Sequence, residues 1–129
     1  MSAAETRLWP SMTFRDCDAM IAWLRAVGFA EHATYRDEED PTVVVHAEWV
    51  HPGGGGLMFG SPRPGSPVAA PGASSVYLVV QDPDVVFDAA VAAGATVVRA
   101  MAEQGYGGCG GDVRDPEGNH WSFGSYQPR

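Results

Sequence analysis

The same punctuation occurs twice in this chain, 66 positions apart. Asp16 and Asp82 each precede an apolar stripe, Asp18 and Asp84 follow each by two residues, and Gly28 and Gly94 close the two stripes. An Asp ahead of a helical stripe satisfies the orphan N–H groups of a first turn, and a Gly behind it takes the left-handed conformation that ends a helix. Met20, Ile21, Trp23, Leu24 and Val27 recur at helical spacing in the first copy. Val86, Phe87, Ala90 and Val91 do so in the second, where Asp82-Pro83 adds a proline at the first helical position. A chain of 129 residues built from two copies of one unit is a single small domain of two halves sharing a core.

Strand patterns surround each helix. Arg7 to Phe14 alternates loosely, and Pro10 within it argues for an edge strand or a bulge. Phe29 to Tyr35 reads as a second strand, and the charged run Arg36 to Pro41 as a solvated turn. Thr42 to Val50 is β-branched and alternating. Its period places Val43, Val45, Ala47 and Trp49 on one face and Val44, His46, Glu48 and Val50 on the other. His51 to Gly56 is a hairpin loop, and Leu57 to Gly60 a short strand. Ser61 to Ala73 is rich in Pro and Gly with no hydrophobic period, which marks a linker over about 61–74. The pattern then restarts with a strand over Ser75 to Val80, the second helix, and a strand over Thr96 to Met101. Gly105 to Val113 is a loop entering a strand. Each half reads β-α-β-β-β, with module one at about 6–61 and module two at about 75–127. The fold class is α+β.

The chain closes on Asp115-Pro116-Glu117-Gly118, whose proline and glycine have the chemistry of a tight turn. In the strand that follows, Trp121 and Phe123 share one face, and His120 and Ser122 the other.

Charge narrows the function. The net charge is −8, from 16 acids against 8 Lys and Arg, and no basic cluster occurs. That argues against nucleic acid and against an anionic membrane surface as partners. Met1 to Glu5 has neither the basic start nor the apolar run of a signal peptide, and no apolar run is long enough to span a bilayer. Cys17 and Cys109 lack paired-thiol spacing, so reduced cysteines and a cytoplasmic location are expected. Gly105 to Gly111 is glycine-dense, but a strand follows and no Lys is present, so it reads as a loop at a cleft mouth rather than a phosphate cradle.

Paired βαβββ modules with a late Asp-Pro-Glu-Gly-Asn turn resemble the vicinal oxygen chelate superfamily, closest to its glyoxalase/bleomycin-resistance-like members. The motifs are Phe14-Arg15-Asp16, Val27-Gly28-Phe29, Val45-His46-Ala47-Glu48, Met58-Phe59-Gly60 and Val113 to Trp121, in this order across residues 6 to 127. The resemblance implies two curved sheets around a shared cleft and, in many members, a homodimer. It also implies, in the enzymes, a divalent metal held by His, Gln or Glu on the first and last strands of each module. Carried over by position, those ligand places fall on Trp9, on Gly56 or Met58, on Ser75 and on Ser122. None is a usual ligand for such an ion.

No metal or cofactor is therefore expected. The leading reading is a protein that sequesters a small, aromatic or cationic molecule in a cleft lined by Trp9, Trp49, Met58, Ser75, Tyr106, His120 and Ser122. The alternative is a metal-dependent lyase, isomerase or dioxygenase with an atypical site from His46, Glu48 and His120. A dimerising structural module with a filled cleft is the third.

Overall fold

In this computed structural model residues 3–68, 70–105 and 107–128 are described. Helix α1 (Cys17–Ala26) starts where the Asp16 carboxylate accepts the Ala19 N–H at 3.0 Å. Helix α2 (Pro83–Ala92) starts behind Asp82, which takes the cap position without a side-chain hydrogen bond there. Pro83 at its first turn removes one of the donors that a cap would otherwise have to satisfy. Gly28 and Gly94 adopt φ of 107° and 120° and turn the chain off each helix.

The strands are β1 (Ser11–Thr13), β2 (Ala30–Arg36), β3 (Val44–Val50), β4 (Gly56–Gly60), β5 (Ser75–Val79), β6 (Thr96–Glu103), β7 (Cys109–Arg114) and β8 (His120–Gly124). They form two four-stranded sheets, ordered β1-β4-β3-β2 and β5-β8-β7-β6. The first strand of each half runs parallel to the last, and the other pairs are antiparallel.

The structure corrects several sequence expectations. The first strand is only three residues long. Pro10 lies just ahead of it, and its carbonyl accepts the Met58 N–H at 2.9 Å. It is an edge strand, as a proline there suggests. The expected faces of β3 hold only from His46 onward. The pairing slips between Tyr35 and Arg36, so Val44 joins Ala47 and Trp49 in the core at 1% exposure while Val45 is 48% exposed. One bulged residue exchanges the faces beyond it. Strand β6 runs on to Glu103, and β7 begins at Cys109, so the end of the glycine-dense stretch is strand. A Cβ on Gly111 would lie 3.0 Å from the Phe87 ring and 3.1 Å from the Met101 backbone, so glycine is what lets α2 sit close on its sheet.

Both helices and one face of each sheet meet in a single core. The Trp23 indole donates to the Ala90 carbonyl at 3.1 Å and meets Trp121 edge-on at 5.2 Å, joining α1 to the second half. Trp23, Trp49 and Trp121 are fully buried. At 150–250 Å² and about 25 cal/mol per Å², each contributes roughly 4–6 kcal/mol of apolar burial. The closing turn ties the halves a second time. The Glu117 carboxylate accepts the backbone N–H of Arg15 at 2.8 Å and of Asp16 at 2.9 Å, more than a hundred residues away. With one face of each sheet committed to this core, the opposite faces stay open.

Candidate functional site

The pairing registers show which positions of the two open faces correspond. Ser11 pairs with Met58, and Tyr77 pairs with Ser122. The first strands therefore correspond at a spacing of 66 and the last strands at 64. The difference arises between the second and third strands. Ala30 pairs with Val50, whereas Thr96 pairs with Arg114, so module one holds two more residues there. Met58, rather than Gly56, is thus the counterpart of Ser122, and Gly56 is the counterpart of His120.

On the first sheet, Trp9 lies across Gly56 so closely that a Cβ there would sit 2.5–2.9 Å from the indole. Trp9, His32, Glu48 and Met58 line a cavity of about 410 Å³. The Glu48 carboxylate is 2.8 Å from Nε2 of His46 and 3.8 Å from Nε2 of His32, so two imidazoles flank one acid. The Tyr35 ring stacks on His46 at 6.2 Å. This face offers an indole, a thioether and one carboxylate.

The second sheet is polar at the corresponding positions. Ser75 Oγ lies 2.7 Å from Nδ1 of His120, and Nε2 of His120 lies 2.9 Å from Asp112. Arg99 donates to the other Asp112 oxygen at 2.9 Å. Ser122 Oγ is 3.5 Å from Nε2 of His120. Burial raises the Asp112 pKa, but hydrogen bonds from His120, Arg99 and Ser122 and the Arg99 charge outweigh it and hold the carboxyl below its ordinary value.

The structure distributes the sequence-derived residues rather than gathering them into one cleft. Trp9 and Met58 stand together on the first open face, and Ser75, His120 and Ser122 on the second. Trp49 is not a cleft residue. It is on the core side of β3, its indole donates to Thr34 at 3.1 Å, and the Arg25 guanidinium covers its ring at 4.8 Å. Tyr106 lies outside the described residues. His46 and Glu48 pair on one sheet while His120 pairs with Asp112 on the other, so the atypical metal set does not converge within the chain. Among the described residues, no group of three or more His, Cys, Asp or Glu is arranged to hold a metal ion. An indole, a thioether and two hydroxyls do not fit a hard divalent ion either.

Three residues of these faces escaped the sequence reading: His32, Arg99 and Asp112. Asp112 was within reach. A hairpin folded about Asp115–Gly118 pairs Asp112 with Ser122 and Arg114 with His120. His32 was not, because the β2 register shifts beside it.

Comparison with known proteins agrees with this architecture. The family model "Glyoxalase/Bleomycin resistance protein/Dioxygenase superfamily" matches residues 8–123. An uncharacterized protein of Mycobacterium bovis is 39% identical over 83 residues, covering 64% of this chain and 51% of that protein. The chain thus spans about half the length of the curated relatives it matches. The crystal structure of TioX from Micromonospora sp. ML1 superposes with a TM-score of 0.73 at 30% identity, covering 95% of this chain and 99% of TioX. A bleomycin-binding protein complexed with bleomycin superposes with a TM-score of 0.62 at 19% identity, covering 94% and 98%; that likeness is one of fold.

Proposed function

We propose, from the premise that this chain belongs to the glyoxalase/bleomycin resistance protein/dioxygenase superfamily, that it binds a small aromatic or cationic molecule and retains it by contact. The observation that carries this reading is the pair Trp9 and Met58. They occupy two of the four places where the superfamily's enzymes would hold metal ligands, and they line a cavity with Glu48. A planar ring stacks on an indole, a thioether packs against its edge, and a carboxylate attracts positive charge on the same molecule. The acidic net charge of −8 favours a cation in the same direction. The bleomycin complex of a structural relative supports small-molecule retention as a use of this fold. The working form is a homodimer, supported by the exposed Tyr35, Val45, Tyr77 and Val98 of the sheets.

The test uses an accident of tryptophan placement. Trp23, Trp49 and Trp121 are fully buried, and Trp9 alone of the four is not. Quenching of tryptophan fluorescence by planar organic cations therefore reports on Trp9. Saturable quenching that disappears in Trp9→Phe and weakens in Glu48→Gln is the expected result. Equal affinity in wild type and Trp9→Ala for every quencher found would overturn the assignment.

A further inference from the structure

The open face of the second sheet carries an arrangement that retention by contact does not use. Ser75, His120 and Asp112 stand in line, at 2.7 Å and 2.9 Å, on three neighbouring strands. We propose that Ser75 is a nucleophile, activated by His120 and oriented by Asp112, and that it accepts acyl groups from activated esters.

The hydrogen-bond directions follow from the chemistry of each group. An ionised carboxylate only accepts, so Asp112 requires a proton on Nε2 of His120. Neutral imidazole then has its lone pair on Nδ1, and the Ser75 hydroxyl donates to it. Arg99 anchors the far side of Asp112, which keeps the carboxylate charged and fixed. The roles are those of a serine–histidine–aspartate relay, with the two imidazole nitrogens exchanged. The backbone supplies one further part. In the parallel pairing of β5 with β8, the His120 N–H goes to the Ser74 carbonyl. Bonds to β8 thus come from the residues flanking Ser75, and the N–H of Ser75 itself points to the free edge of the sheet, since β5 is an edge strand. A donor beside the nucleophile is suited to the oxyanion of an attacked carbonyl. Ser75 is exposed, so an ester reaches it from solvent.

The step balances as follows. Ser75 Oγ bonds to the ester carbonyl carbon while its proton moves to Nδ1 of His120. The carbon–oxygen bond to the leaving group then breaks, and the leaving alcohol takes that proton. Water, deprotonated by His120 in turn, attacks the acyl-serine; the bond from the acyl carbon to Ser75 Oγ breaks, Oγ takes the proton back from His120, and the carboxylic acid leaves.

The experiment treats the full chain with an aryl acetate and, separately, with a fluorophosphonate. It follows intact mass and maps the modified peptide. One adduct per chain on Ser75 is expected, absent in Ser75→Ala. General-base assistance contributes about 10²–10⁴-fold, so His120→Ala should slow labelling by that factor, and added imidazole should restore part of the rate. Asp112→Asn, which keeps the side-chain shape, should slow it in the same direction and serves if His120→Ala does not fold. No adduct, an adduct elsewhere, or a Ser75 rate indifferent to both variants would overturn the proposal. Labelling needs no bound cation, so these outcomes are independent of the assignment of Trp9.

Discussion

Asp115→Asn tests the closing turn with almost no change of shape. The Asp115 carboxylate is buried and accepts four donors. One oxygen takes the N–H groups of Glu117 at 2.8 Å and Asn119 at 3.0 Å. The other takes Nδ2 of Asn119 at 3.0 Å and the Trp121 indole at 2.9 Å. A carboxamide keeps one acceptor oxygen and turns a second set of donors on whatever it faces. Flipping it does not help, because each oxygen of Asp115 serves two donors. Either orientation strands a pair, and Asn119 and Trp121 are fully buried. An unsatisfied buried donor costs about 1–3 kcal/mol, so two cost about 2–6 kcal/mol. No cavity forms, so no packing loss is mixed in. For a chain of this size that corresponds to a melting point lower by roughly 7–22 °C. Urea unfolding followed by the buried tryptophans measures it, with the midpoint moving and the slope unchanged. A loss under about 1 kcal/mol would refute the claim that this carboxylate is the hub of the turn.

Two further predictions concern stability. Glu117→Ala removes the acceptor for the Arg15 and Asp16 N–H groups. It should cost about 1.5–3 kcal/mol, with Glu117→Gln losing part of that, as read by the same urea midpoint. His51 is buried, its Nδ1 accepts the Gly53 N–H and its Nε2 donates to the Val27 carbonyl, so it is held neutral, and burial lowers its pKa from 6.5. Below that value the unfolded chain takes up a proton that the folded chain refuses. The stability is therefore full above pH 6.5 and declines as pH falls through the folded pKa. Between pH 7.5 and 5.5 the urea midpoint of His51→Gln should fall less steeply than that of wild type, and parallel slopes would contradict the assignment.

Much of the fold was legible because its punctuation is local. Asp16, Pro83, Gly28, Gly94 and the Pro116–Gly118 turn act on their own backbone, and each element they bound is present. The β3 faces were legible only in part. Nothing in Val43-Val44-Val45 announces a bulge, because all three residues suit either face. Trp49 was misplaced for a related reason. Alternation shows that it shares a side with Ala47, but not which side meets the helices. The partners of His120 needed the β7–β8 register as well as the strand pattern, and the metal-ligand places needed the two-residue difference between the modules.

That difference bears on how one template yields two surfaces. In the second sheet, the position beside the first strand holds His120, and Ser75 bonds to it. In the first sheet the same position holds Gly56, and Trp9 fills the space a side chain would take. Each choice is a pair. An indole beside His120 would have no room to lie flat, and a serine at Trp9 would face bare glycine with no imidazole to bond. Trp9→Ser alone should therefore remove the apolar surface without creating a polar one, and Gly56→His alone should displace the indole rather than coexist with it. The pairing extends outward. His120 depends on Asp112, which depends on Arg99, while Trp9 depends only on a gap and on the Met58 thioether beside it. The polar face thus requires four positions to agree, and the apolar face three. A face suited to holding molecules by contact is the easier of the two to build on this sheet, and the one bearing a directed hydroxyl requires the strand register to be held fixed. The β5–β8 pairing, continuous from Ser75 to Val79, supplies that register.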